Sequence, residues 1–181
     1  TIMLADNIFT INPSLYGKLP YDPVKDFAPV TLLATVPLFL VLNPSVPAKS
    51  LKEFIALVKS KPGQFNYASV GNGSLHHLAM ELIKVMVGID IVHIPYKGGA
   101  PARADILAGQ VQAMFSGISS VPLFKAGRLN AIAVSTAKRS WIAPELPTVA
   151  EAGIAGFNVG VWFGVLAPAK TPKAIITRLH A

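Results

Sequence analysis

The residues best suited to chemistry lie in one run, Tyr67-Ala68-Ser69-Val70-Gly71-Asn72-Gly73-Ser74, followed at once by Leu75-His76-His77-Leu78. The order of types reads as a strand, a tight polar loop with two glycines, and an amphipathic helix. A helix start leaves its first N–H groups without partners inside the helix. A glycine loop aims further N–H groups at the same point, and the helix dipole favours negative charge there. The chemistry on offer is capture of an anion, most simply a carboxylate or phosphate, by backbone N–H groups and the hydroxyls of Ser69 and Ser74. A second loop of this kind follows at Pro95-Tyr96-Lys97-Gly98-Gly99-Ala100-Pro101. There Gly98 and Gly99 would present N–H groups, joined by the Tyr96 hydroxyl. The bland alternative for both loops is a glycine turn with a serine cap, which proteins use widely.

Other chemistries fit less well. His76 stands where a dinucleotide fingerprint needs its third glycine, and no Gly-Lys-Ser/Thr follows to make a Walker loop. His76 and His77 are adjacent, so they project to different sides of a helix. They do not converge on one metal ion, and the expectation is one histidine partly buried and hydrogen-bonded, the other solvated. The chain has no cysteine, which excludes disulfides and thiolate chemistry. No nucleophile elbow of the Gly-x-Ser-x-Gly kind occurs, and no carboxylates stand paired on one element, so an enzyme has little to build on. Asp105, one turn into the following helix, reads as a structural hydrogen-bond acceptor.

The 181 residues carry a net charge of +7. The basic side chains are scattered rather than massed, and no aromatic and basic interleaving of the RNA-binding type occurs. A nucleic-acid partner is not expected; an anionic small ligand, or simple solubility, accounts for the charge. At 52% hydrophobic and 14% charged residues, the chain can build a substantial core. Its apolar run at Leu38 to Leu42 is too short to span a membrane and is flanked by Pro37 and Pro44. No basic-plus-apolar signal pattern opens the chain.

The elements around the loops are punctuated clearly. Ser50 and Glu53 form a capping box, and Leu51, Phe54, Ile55 and Val58 follow helical spacing to Pro62-Gly63. Residues 65–69, 91–94, 111–115 and 129–134 read as strands. Helices lie between them, from Ser74 to about Gly88, from Pro101 to about Gly109, and from Ser119 or Ser120 to Gly127. This alternation predicts a parallel, doubly wound α/β layer, with both glycine loops at the carboxyl ends of strands. Ile2-Met3-Leu4 reads as a buried strand, and residues 12–16 and 19–23 as irregular turns. The apolar stretch Val30 to Leu42, broken at Pro37, suits a segment crossing between two lobes. Thr148 and Glu151 form a second capping box. Val159 to Leu166 reads as a strand, and Thr171-Pro172 starts a further helix.

Several motifs occur in a telling order: residues 12–16 (Asn-Pro-Ser-Leu-Tyr), 19–23 (Leu-Pro-Tyr-Asp-Pro), 67–78, 93–99 (His-Ile-Pro-Tyr-Lys-Gly-Gly), 107–111, 137–140, 147–153 and 162–168. Together they resemble the Bug family of periplasmic solute-binding proteins, the TctC-like receptors of tripartite tricarboxylate transporters. The resemblance covers essentially the whole chain. It implies a periplasmic-binding-protein-like α/β fold of the type II, Venus-flytrap kind, with one complete doubly wound lobe and parts of the other. Residues 1–33 would belong to the first lobe, 34–158 to the second, and 159–181 would return to the first. It implies a small organic carboxylate, a dicarboxylate or acidic amino acid, held between lobes and passed to membrane permease subunits or sensed. It further implies a periplasmic location, no cofactor and no catalysis.

The site residues it implies are Ser69, Gly71, Asn72, Gly73, Ser74 and His77 in the first loop, and Tyr96, Lys97, Gly98 and Gly99 in the second. Ser116 at a strand end joins them, with Ala5 and Asn7 contributed from the first lobe. Ser116-Gly117 is a departure, because the family commonly has an acid after the strand, and its loss either favours a more acidic or bulkier ligand or is neutral. The family's first βα unit, whose glycine-rich loop grips one carboxylate, is expected N-terminal to Thr1, and its final segments beyond Ala181. The resemblance is thus to an internal fragment, and self-association of such a fragment is the alternative role.

Overall fold

The computed structural model describes residues 1–180. The elements run β1 (Met3–Asp6), α1 (Asn7–Leu15), β2 (Phe27–Pro37), β3 (Phe39–Leu42), α2 (Leu51–Ser60), β4 (Asn66–Ser69) and α3 (Leu75–Val87). Then come β5 (Val92–Pro95), α4 (Gly99–Ala108), β6 (Ala113–Ser116), a 3-10 turn over Ile118–Ser120, and α5 (Val121–Lys125). The chain continues through β7 (Asn130–Val134), β8 (Gly160–Pro168) and α6 (Lys173–His180). Two compact units result, one over Pro37–Gly160 and one combining Thr1–Val36 with Val161–Ala181.

The larger unit holds a five-stranded sheet in the order β5-β4-β6-β3-β7. All four residues of β3 are fully buried, so helices and loops cover both faces of the sheet at its centre. Phe39 and Val41 share a cluster with Ala102 and Ile106 of α4, and the Phe39 ring packs against Phe124 at 5.3 Å. The helices turn their apolar stripes inward as their spacing predicts: Leu51, Phe54 and Val58 on α2, and Ala79, Met80 and Ile83 on α3.

The alternation of strand and helix holds, but the sheet is mixed rather than all parallel. β4 runs parallel to β5 and β6, whereas β3 runs antiparallel to both β6 and β7. A crossover helix sets direction only between strands that end up as neighbours in one sheet. β3 and β4 are separated by β6, so α2 imposes no parallel pairing on them. Because β3 is reversed, β4, β5, β6 and β7 all present their carboxyl ends at the same sheet edge, where both glycine loops lie.

The local punctuation is largely as expected. Ser50 Oγ accepts the Glu53 N–H at 3.2 Å, while the Glu53 carboxylate reaches one residue further back, to the Lys49 N–H at 2.8 Å. Thr148 and Glu151 close a reciprocal box at 3.0 Å each way. Gly88 and Gly109 end α3 and α4 in left-handed conformations. Ser120 forms no side-chain cap on α5. Losing the Ser50 cap in Ser50→Ala should destabilise the chain by about 1 kcal/mol. Urea denaturation would read this as a lower midpoint at unchanged slope.

In the smaller unit the sheet order is β1-β8-β2, with β1 antiparallel to β8. Two expectations are corrected here. Residues 12–15 are the last turn of α1 rather than irregular chain, with Pro13 inside it. The helix starts because Asp6 accepts the Ile8 N–H at 2.8 Å, and it survives only two residues past the proline, which removes a backbone donor. The strand at residues 2–4 is not buried. β1 is an outer strand whose side chains alternate, so Ala5 is buried while Leu4 is 65% exposed.

Candidate functional site

Ser69 ends β4 fully buried, and its hydroxyl is the hub of the first loop. It donates to Gly71 O at 3.1 Å, accepts from Gly71 N at 3.2 Å, and lies 2.7 Å from His93 Nε2. Ser74 caps α3: its Oγ accepts the His77 N–H at 3.3 Å and donates to Gly71 O at 2.7 Å. Gly71 and Gly73 both carry positive φ, 139° and 74°, a backbone that side-chain-bearing residues rarely adopt. Asn72 stands exposed at the tip.

The glycine N–H groups are not the free donors expected of them. Gly71 N is taken by Ser69, and Gly73 N by His77 Nδ1 at 3.2 Å. Among the described residues, the loop donors without an acceptor are those of Asn72, Leu75 and His76. The glycines shape the loop, and the first turn of α3 supplies the electropositive point.

His77 braces the loop, as its position suggests. Because its Nδ1 accepts, the ring is neutral with its proton on Nε2. Behind it stands a residue missed from sequence. The parallel register of β4 and β5 sets His93 beside Tyr67, and three rings form a stack. His93 lies 4.9 Å from Tyr67 and 4.0 Å from His77. Burial, then the neighbouring His77, lower the His93 pKa to about 4. The Tyr67 hydroxyl donates to Glu81 Oε1 at 2.6 Å, and Lys84 Nζ reaches the same oxygen at 2.8 Å. Burial and Glu81 raise the Tyr67 pKa. Burial opposes the charge on Glu81, but bonds from Lys84 and Tyr67 outweigh it and hold the carboxyl below its usual range. His76 is half-buried like His77, so neither histidine is the solvated one expected, and burial lowers the His76 pKa to about 4.

In the second loop Gly98 takes φ 110° and ψ 176°, a region essentially restricted to glycine, and opens α4 without a side-chain cap. Lys97 is exposed. The Tyr96 hydroxyl donates to Asp105 Oδ2 at 2.7 Å, confirming Asp105 as a structural acceptor. Burial, with Asp105, pushes the Tyr96 phenol up to about 12. Ser116 is buried at the end of β6, its hydroxyl shared with Ser120 in a short hydrogen bond. In the other unit Ala5 is buried in β1, facing Gly164 across the ladder, and Asn7 Oδ1 accepts the Trp162 N–H at 3.0 Å.

A second residue missed from sequence is Arg103. It sits one turn into α4, and its Nη1 donates to Ser119 Oγ at 3.1 Å. A Cβ built on Gly99 would meet that Nη1 at 3.0 Å and Val70 Cγ1 at 3.8 Å, so the guanidinium overhangs the second loop within reach of the first. The signal for it was the spacing of four between Gly99 and Arg103, which puts both on one helix face.

Loops from the carboxyl edge of an α/β sheet, with helix N-termini aimed outward, are the layout of a periplasmic-binding-protein lobe, and solved structures of that class share this fold. One, titled "R. palustris Rpa4515 with adipate", overlays with TM-score 0.89 at 38% identity, covering 99% of this chain and 60% of that one. Another, MatC from Rhodopseudomonas palustris with bound malate, gives TM-score 0.84 at 34% identity, covering 99% and 62%. The chain belongs to the TctC family, the tripartite tricarboxylate transporter family receptors, whose model matches residues 1–181. Protein BugT of Bordetella pertussis is 39% identical over 99% of this chain. The chain spans a little over half the length of the curated relatives it matches, 56% of BugT.

Proposed function

We propose that this chain is part of an extracytoplasmic receptor for a small carboxylate, that it acts in the periplasm, and that it serves a tripartite tricarboxylate transporter permease or a sensor. The observation that carries this reading is the loop between β4 and α3, held by Ser69, Ser74 and His77 and leaving the Asn72, Leu75 and His76 N–H groups without acceptors at the start of α3. The Gly98, Gly99 and Ala100 N–H groups of the second loop lack acceptors in the same way among the described residues and offer a second contact. Family membership and the adipate and malate named for two similar structures support a carboxylate, in particular a dicarboxylate, as the ligand. Ser69, Gly71, Asn72, Gly73, Ser74, His77, Tyr96, Lys97, Gly98, Gly99 and Ser116 form the proposed binding wall on this unit. Ala5 and Asn7 are the proposed ligand contacts of the other unit, taken by itself.

A thermal-shift screen of mono-, di- and tricarboxylates and amino acids tests this. A ligand at a hundredfold excess over its Kd adds about 2.7 kcal/mol. In a chain of this size that raises the midpoint by roughly 5–10 °C. Dicarboxylates should give the largest rises, and a screen in which no carboxylate moves the midpoint would sink the reading. Self-association is the second reading, favoured by exposed Ile2, Leu4, Leu32 and Leu33 in the smaller unit. Light scattering showing a monomer at working concentration would argue against it.

A further inference from the structure

We propose that Arg103 is a specificity-determining residue that selects ligands carrying a second anionic group. This rests on the carboxylate reading above and deepens it. The guanidinium joins two loops of the sheet's carboxyl edge, lying over Gly99 of the second loop and bonded to Ser119 after β6, while Val70 of the first loop flanks Gly99 as well. The ion pairs among the described residues join Lys25 to Asp22, Lys84 to Glu81, and Arg139 to Glu151, so Arg103 has no carboxylate partner. Its one bonded acceptor is a neutral hydroxyl.

An arginine fork has five donors and matches a carboxylate in two parallel bonds. Here one donor is anchored on Ser119, which fixes the position of the head, and the rest remain for a ligand. The nearest acid on the same helix, Asp105, is engaged by the Tyr96 hydroxyl and does not neutralise it. The strand end beneath offers only the Ser116 and Ser120 hydroxyls, which bond each other. Gly99 has no side chain, and any Cβ there would press on Nη1, so the glycine also keeps the guanidinium's place open. A ligand whose first carboxylate sits at the start of α3 would turn its other end toward this cation. A monocarboxylate of equal length would leave the cation unpaired.

The test compares adipate with hexanoate, a six-carbon diacid against the six-carbon monoacid, by calorimetry on the wild-type chain, Arg103→Gln and Arg103→Lys. The wild type should prefer adipate by tenfold or more. Arg103→Gln should lose that preference by weakening adipate at least tenfold while changing hexanoate less than threefold. Arg103→Lys, which keeps the charge without the fork, should recover part of the loss. Equal weakening of both ligands in Arg103→Gln, or no weakening, overturns the assignment. So does a wild type that binds both acids equally well, which leaves the carboxylate reading standing. A wild type that binds neither overturns both. Thermal melts of the variants, within a few degrees of wild type, exclude misfolding as the cause.

Discussion

Ser69→Ala is expected to unfold about 1–3 kcal/mol more readily than the wild type, the range for leaving a buried polar group without its partner. Carboxylate affinity should fall by tenfold or more in the same variant. The hydroxyl is fully buried and serves Gly71 N, Gly71 O and His93 Nε2 together. Alanine fills nearly the same space, so packing changes little, but the Gly71 N–H and the His93 ring nitrogen each lose this partner at a part-buried position. The binding loss follows from the same loss of shape. Gly71 O also receives the Ser74 hydroxyl, and Ser74 in turn caps α3 through the His77 N–H. Releasing Gly71 therefore loosens the turn that orients the Asn72, Leu75 and His76 donors. Ser60 is the control. Its hydroxyl donates to Leu57 O at 2.7 Å on the exposed end of α2, and Ser60→Ala should change stability by no more than about 0.5 kcal/mol. Urea denaturation and adipate calorimetry on both variants would decide. Ser69→Ala with wild-type stability would remove the hub, and Ser69→Ala with wild-type affinity would remove the loop from the site.

Acid should weaken the fold well before the carboxylates titrate. His76 and His93 both have folded pKa values of about 4, against 6.5 when unperturbed, in each case chiefly through burial. A depressed histidine pKa means the unfolded chain binds the proton more readily than the folded one. Stability from these two groups is fully present above pH 6.5 and drains away as pH falls toward 4. Both rings keep partial solvent contact, so the full shift is discounted to about 1 kcal/mol each. Together they should lower the midpoint by roughly 4–8 °C between pH 7 and 4.5. Glu81, Glu151 and Asp22, whose pKa values are lowered, add their losses only below about 4.5. The double variant His76→Gln, His93→Gln should flatten the curve between pH 6.5 and 4.5 while leaving the steeper fall below it. Melting curves across that range are the measurement, and an unchanged slope in the double variant would show that other groups set it.

Much of the larger unit was legible because its punctuation is local. Ser50, Gly88, Gly109 and Pro37 mark element ends through backbone rules that act within a few residues, and the two glycine loops were readable for the same reason. The reversed direction of β3 was not, because side-chain alternation records which face is buried and not which way a strand runs. The helical turn at Pro13 was hidden by a residue that ordinarily signals loop. At the candidate site, the His93 and His77 stack and the Arg103 contact with Ser119 each join residues 16 apart on different elements. Both depend on how β4, β5 and β6 line up, and a one-residue slip in that alignment would undo them.

The reversed central strand also has a consequence for how the chain acquires its structure. β3 leaves the ribosome well before both its neighbours, β6 at Ala113–Ser116 and β7 at Asn130–Val134. Its four apolar residues wait with two open edges until most of the larger unit has been made. Pairing over such separations is slow, and an unpaired apolar edge invites other chains. Refolding from denaturant should therefore show its rate set by closure of β3 between β6 and β7, with aggregation competing at high concentration, and holding factors that shield nascent strands should raise the yield.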